Sequence, residues 1–105
     1  MSVTERRTAT HASECAREVK VINPLGIHAR PAALLVQTAL KYRSDVSLEK
    51  DGQTVSAKSI MGVLTLAGYP GSKMLVRARG PDAQEAVAAI AELFEAGFHE
   101  MNPHD

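Results

Sequence analysis

The segment Gly26-Ile27-His28-Ala29-Arg30-Pro31-Ala32 sets a histidine at the mouth of a helix, an arginine two residues on and a proline in the first turn. A first-turn N–H has no intrahelical acceptor to lose, so Pro31 is tolerated there and fixes the helix start near His28 or Ala29. The first N–H groups of a helix, together with its dipole, form a ready anion site, here around Ala29 and Arg30. Arg30 can add a charge-assisted hydrogen bond, and Gly26 lets the backbone turn tightly so that the ring faces solvent. Neutral imidazole is a competent nucleophile, and its ordinary pKa of ~6.5 leaves most of it unprotonated near neutral pH, so no base is needed beside it. A helix terminus is worth ~0.3–1 kcal/mol to a nearby exposed charge, and ~2 at most. These residues suit a phosphate carried on the imidazole, positioned without being trapped. The same pattern also fits a histidine that merely caps a helix in a solvated loop.

A second constellation is Ala57-Lys58-Ser59-Ile60-Met61-Gly62-Val63. Ser59 can cap a short helix from Ile60 to about Leu66. Two turns cannot bury apolar side chains all round, so Val63 and Leu66 are expected against the core, with Ile60, Met61 and Leu64 left as a sticky patch for partner proteins. The plainer alternative is a capping serine above core residues. Cys15 is the single cysteine, so no internal disulfide can form, and His11 four residues earlier makes a poor metal site because two ligands rarely suffice. No metal and no cofactor are expected.

The elements that position these residues follow from periodicity. Residues 1–15, rich in Thr, Ser, Ala and charge without a sustained period, read as a flexible N-terminal extension, leaving residues 16–105 as the single domain. Glu18–Ile22 alternates, with Val19 and Val21 on one face, and Asn23-Pro-Leu-Gly26 breaks that strand. From Ala29 to Tyr42, Ala32, Leu35, Val36 and Ala39 recur at helical spacing. Val46 and Leu48, then Val55, lie in two short strands joined by Asp51-Gly52, a pair that adopts the positive φ angles of a tight hairpin. After the second helix the loop Gly68-Tyr-Pro-Gly71 leads to a fourth strand, in which Met74, Val76 and Ala78 alternate with Leu75, Arg77 and Arg79. Gly80-Pro81-Asp82 ends it, and Asp82 is a suitable cap for a last helix with Ala83, Val87, Ile90, Leu93 and Phe94 as its apolar stripe. The order β-α-β-β-α-β-α gives an α+β open-faced sandwich: a four-stranded, mainly antiparallel sheet covered on one face by three helices.

Acidic and basic residues balance at 12 each over 105 residues, which removes the electrostatic case for nucleic acid or an anionic membrane as partner. An RNA-binding sheet of similar order is excluded because the aromatic residues Tyr42, Tyr69, Phe94 and Phe98 all fall outside the strands, where bases would stack. Apolar stretches such as Ala32 to Val36 are far short of the ~20 residues a membrane-spanning helix needs, and the polar start has no signal core, so a cytoplasmic protein is expected.

The two motifs together, Gly26 to Ala32 and Lys58 to Val63, stand at the spacing of the HPr family of the bacterial sugar phosphotransferase system, which the sequence resembles in register over about residues 17–100. The resemblance implies an HPr-like fold and a stoichiometric phosphocarrier, strictly not an enzyme. It implies that Enzyme I, using phosphoenolpyruvate, phosphorylates His28 at Nδ1, and that the phosphoryl group passes to the A domain of an Enzyme II or a related regulatory acceptor. It also implies that Ser59 is a site of regulatory phosphorylation by HPr kinase/phosphorylase, where that enzyme exists. The chain is expected to be a monomer. The competing reading is a regulatory module, either a nitrogen-type phosphorelay or a co-repressor partner switched through Ser59. The extension of some fifteen residues and the Tyr69-Pro70 loop depart from the family pattern.

Overall fold

A computed structural model describes residues 13–101. The elements are β1 (Glu14–Lys20), α1 (Ala29–Ala39), β2 (Asp45–Lys50), β3 (Gln53–Ser56), α2 (Ile60–Thr65), β4 (Lys73–Arg79) and α3 (Ala83–Glu95), followed by a 3-10 turn at Gly97–His99. The four strands form one sheet in the order β1-β4-β2-β3, and every neighbouring pair is antiparallel. Alternation turns Val19, Val46, Leu48, Met74, Val76 and Ala78 to the helix side, where they meet Ala32, Leu35 and Ala39 of α1, Val63 of α2 and the Ala83, Val87, Ile90 and Phe94 stripe of α3. The opposite face carries charge: Arg77, an exposed residue, lies 3.9 Å from Glu14 and 3.7 Å from Glu49. The expected α+β open-faced sandwich is the fold.

The expected hairpin is present, with φ of 52° at Asp51 and 81° at Gly52 and Lys50 paired with Gln53. Two boundaries and one side-chain role differ from expectation. β1 begins at Glu14, so Glu14 and Cys15 belong to the sheet, opposite Arg79 and Ala78, although the sequence places both in the extension; the other residues of that extension, up to residue 12, lie outside the described ones. The pairing with β4 imposes a strand that the local sequence does not announce. α1 ends at Ala39 rather than Tyr42: Lys41 and Tyr42 donate to Thr38 and Ala39 in tighter i→i+3 turns, as helix ends commonly do.

The third difference is chemical. Asp82 occupies the N-cap position of α3, yet its side chain makes no capping hydrogen bond. Its carboxylate instead accepts from the N–H of Arg43 (3.0 Å) and from the N–H (2.9 Å) and Oγ (2.6 Å) of Ser44, while Ser44 Oγ accepts from the Asp82 N–H at 3.1 Å. The residue read as a cap is a clasp between α3 and the α1–β2 loop. Gly80, at φ +148°, permits this approach, since a Cβ there would lie 2.7 Å from Ser44 Cα.

The Ser44 hydroxyl, and after it the Arg43 N–H, lower the Asp82 carboxyl from 3.8 to about 2. A carboxyl whose pKa is depressed on folding contributes stability above its unfolded pKa and loses it as pH falls through the folded value. The urea midpoint of the protein should therefore fall more steeply between about pH 4 and pH 2 than that of Asp82→Asn, which has no such proton to bind. Parallel profiles for the two proteins would show that the clasp carries no charge-dependent stability.

Candidate functional site

β1 hands the chain to α1 through a tight loop. The Gly26 N–H donates to Asn23 O, Ile27 N–H to Gly68 O at 2.7 Å, and His28 N–H to Gly26 O at 3.1 Å. Gly26 has φ +71°, and a Cβ there would stand 2.5 Å from Gly68 O, so both the conformation and the space demand glycine. His28 is the N-cap residue of α1, and Ala32 N–H makes the first intrahelical bond, to His28 O. The Ala29 and Arg30 N–H groups thus stand at the helix mouth ahead of that bond, and Pro31 has none to offer.

The His28 ring makes no capping hydrogen bond. Its Nε2 lies 3.1 Å from each carboxylate oxygen of Glu100. An ionised carboxylate only accepts, so Nε2 bears a proton, and in the neutral ring Nδ1 then keeps the lone pair. Arg30 turns to the same carboxylate: its Nη1 donates to Glu100 Oε2 (3.0 Å) and to the Phe98 carbonyl (3.1 Å). Asn23 Nδ2 supplies a third donor, to Glu100 Oε1 at 2.9 Å, and also donates to Gly26 O at 2.8 Å. Burial pushes the Glu100 carboxyl up, but hydrogen bonds from Asn23, His28 and Arg30 and the charge of protonated His28 outweigh it, and the net shift is downward. The His28 and Arg30 side chains are 39% and 55% exposed and Glu100 only 14%, so a shielded carboxylate underlies an open histidine and arginine.

A left-handed turn aims Glu100. Gly97, Phe98 and His99 have φ of 60°, 54° and 62°, a conformation that costs a non-glycine residue about 1–3 kcal/mol. Phe98 is held in it by burial and by an edge contact with Phe94, their ring centroids 4.9 Å apart.

The second motif lies elsewhere. Ser59 Oγ accepts from Gly62 N–H at 3.0 Å and caps α2. Ile60, Met61 and Leu64 are exposed, and Val63 and Leu66 are buried. The Ile27–Gly68 bond ties the start of α1 to the loop after α2, whereas Lys58 Nζ donates to Tyr42 O beyond the end of α1. The helices are therefore antiparallel neighbours, with His28 at the start of α1 and Ser59 at the end of α2 remote from the Ile27–Gly68 tie.

Thus His28, Ala29 and Arg30 come together as their spacing requires, joined by Asn23, Phe98 and Glu100, which sequence reasoning missed. Asn23 reads only as part of a strand-breaking Asn-Pro-Leu-Gly, and nothing local links Glu100 to a histidine 72 residues away. Among the other histidines, His99 is exposed, and His11 and His104 lie outside the described residues. Among the described residues no group of three or more His, Cys, Asp or Glu is arranged to hold a metal, and no helix is long and apolar enough to cross a membrane.

Comparison with known proteins meets this geometry. The phosphocarrier protein HPr of Xylella fastidiosa strain Temecula1 is 48% identical over 83 residues, 79% of this chain and 93% of that one. The crystal structure of HPr-C-His from Thermoanaerobacter tengcongensis superposes with a TM-score of 0.79 at 43% identity, covering 82% of this chain and 97% of that one. An HPr dimer from the same organism matches at 0.66 and 45% identity, over 76% of this chain and 92% of that one. Residues 15–96, which include both motifs, match the family model of the PTS HPr component phosphorylation site. The two motifs fall inside the matched range, and the chain belongs to the HPr family, the phosphocarriers of the phosphotransferase system.

Proposed function

We propose that His28 is the residue that carries the phosphoryl group, taking it from Enzyme I charged by phosphoenolpyruvate and giving it to the A domain of an Enzyme II or a related acceptor. The observation that carries this reading is the Nε2 contact with Glu100, which leaves Nδ1 as the nucleophile. The Nδ1 lone pair attacks phosphorus, the N–P bond forms, and the bond from phosphorus to the donor breaks. Nε2 keeps its proton, and the positive charge arriving on the ring develops beside the Glu100 carboxylate. The Ala29 and Arg30 N–H groups are the backbone donors for the phosphate, and Arg30 can exchange Glu100 for it because its guanidinium is open to solvent. The protein acts as a monomer, and a sedimentation profile dominated by dimer would reject that part.

Incubation with Enzyme I and phosphoenolpyruvate should add one acid-labile phosphate, and His28→Ala should abolish it. Labelling of that variant at the wild-type rate would reject His28. Arg30→Ala should fold, since the guanidinium adds little to packing, yet transfer phosphate at least several-fold more slowly. Kinetics within about twofold of wild type would remove Arg30 from the reaction.

Ser59 is the proposed site of regulatory phosphorylation. About 1.5–2 negative charges at the start of α2 suit the helix dipole, so the fold should tolerate the modification. With His28 at the other end of α2, the effect falls on docking: Ile60, Met61 and Leu64 lie within about a turn and a half of the new charge, and a partner burying that apolar patch must approach a dianion. Ser59→Asp should keep its Tm within a few degrees and accept phosphate from Enzyme I with a markedly raised KM. Unchanged kinetics, or loss of folding, would reduce Ser59 to a helix cap.

A further inference from the structure

We infer that Asn23 is a positioning residue for phosphoryl transfer, acting through Glu100; the inference rests on the proposed role of His28 and extends it. Asn23 is fully buried, and its amide nitrogen spends both hydrogens on the site. One goes to Gly26 O, the carbonyl that also accepts the His28 backbone N–H, and the other goes to Glu100 Oε1, which grips the His28 ring. A single rigid amide thereby references the backbone of the histidine and the partner of its imidazole to each other.

The chemistry of an amide suits this task better than that of a charged donor. A second cation in the same place would offset the negative charge that His28 needs beside it as it becomes cationic, whereas a neutral N–H orients the carboxylate without adding positive charge. Arg30, the charged donor on Glu100, is exposed and free to turn to an arriving phosphate, whereas Asn23 is buried and out of its reach, so its hold on Glu100 does not depend on that exchange. Asn23 Oδ1 is buried without a hydrogen-bond partner among the described residues. An apolar side chain of similar shape would avoid that penalty, so the amide is kept for what its nitrogen does.

The test is a double-mutant cycle on the full chain, read as the rate of phosphoryl acceptance from Enzyme I, with Asn23→Ala, Asn23→Asp and Glu100→Gln made singly and Glu100→Gln combined with each Asn23 variant. Asn23→Asp is near-isosteric and replaces the donor by an oxygen facing Glu100. Glu100→Gln should slow transfer about fivefold, and each Asn23 substitution should slow it severalfold in the wild-type background with folding intact. In the Glu100→Gln background the Asn23 substitutions should change the rate by less than about twofold. An equal loss in both backgrounds, a wild-type rate for the Asn23 variants, or failure of both variants to fold would overturn the inference and make Asn23 a loop residue. A wild-type rate for Glu100→Gln would overturn it too, while loss of labelling in His28→Ala would leave the acceptor assignment standing.

Discussion

A carboxylate that is mostly shielded from water has to be answered by donors, and Glu100 is answered by His28, Arg30 and Asn23. That requirement reaches far into the molecule. The chain must come back from the end of α3 to the mouth of α1, and it does so by taking Gly97, Phe98 and His99 through left-handed conformations, two of them without the freedom of glycine. The strain is sustained because Phe98 is buried against Phe94 and its carbonyl is taken by Arg30. Hydrophobic burial of an aromatic ring, worth about 1.5–3 kcal/mol, is of the size needed to offset one such residue.

Sheet topology makes the return short. β4 lies between β1 and β2 and runs antiparallel to both, so β1 delivers the chain to the same end of the sheet at which α3, running back over β4, must finish. The N-terminus of α1 and the C-terminus of α3 are neighbours for that reason. Their dipoles suit the side chains found there: the positive mouth of α1 faces a carboxylate, and a carbonyl just past the negative end of α3 takes a guanidinium. By the same parity α2 starts at the opposite end, which is why Ser59 is far from His28 although the two motifs belong to one protein.

What the residues disclosed in advance follows the range of the forces involved. The Asp51-Gly52 hairpin, the start of α1 at Ala29 ahead of Pro31, the Ser59 cap and the outward Ile60, Met61 and Leu64 are set within a few residues, and all were legible. The first half of β1 was not. Arg17 stands on the core-facing side of an exposed stretch, spoiling the alternation, and the strand exists because Glu14 to Arg17 pair with Arg79 to Val76. Asp82 had the right residue type and position for a cap, and Ser44, brought to it by the fold, took its carboxylate instead. Nothing short-range could join Asn23 and Glu100, because their meeting depends on where α3 ends.

The same contact bears on why phosphate on His28 would remain transferable. Arg30 and Glu100 pair with opposite charges beside the His28 ring, which weakens the field of the arginine on an incoming dianion, and the helix mouth adds only about 0.3–1 kcal/mol for an exposed charge. With phosphate on His28 as proposed, Glu100 would steady the cationic ring through Nε2 while repelling the phosphate oxygens, and Arg30 would attract those oxygens at the expense of its bond to Glu100. Stabilisation of the ring and destabilisation of the group on it thus come from one carboxylate. A site with the arginine alone would bind the phosphate more tightly and release it more slowly, and the carboxylate opposes that excess.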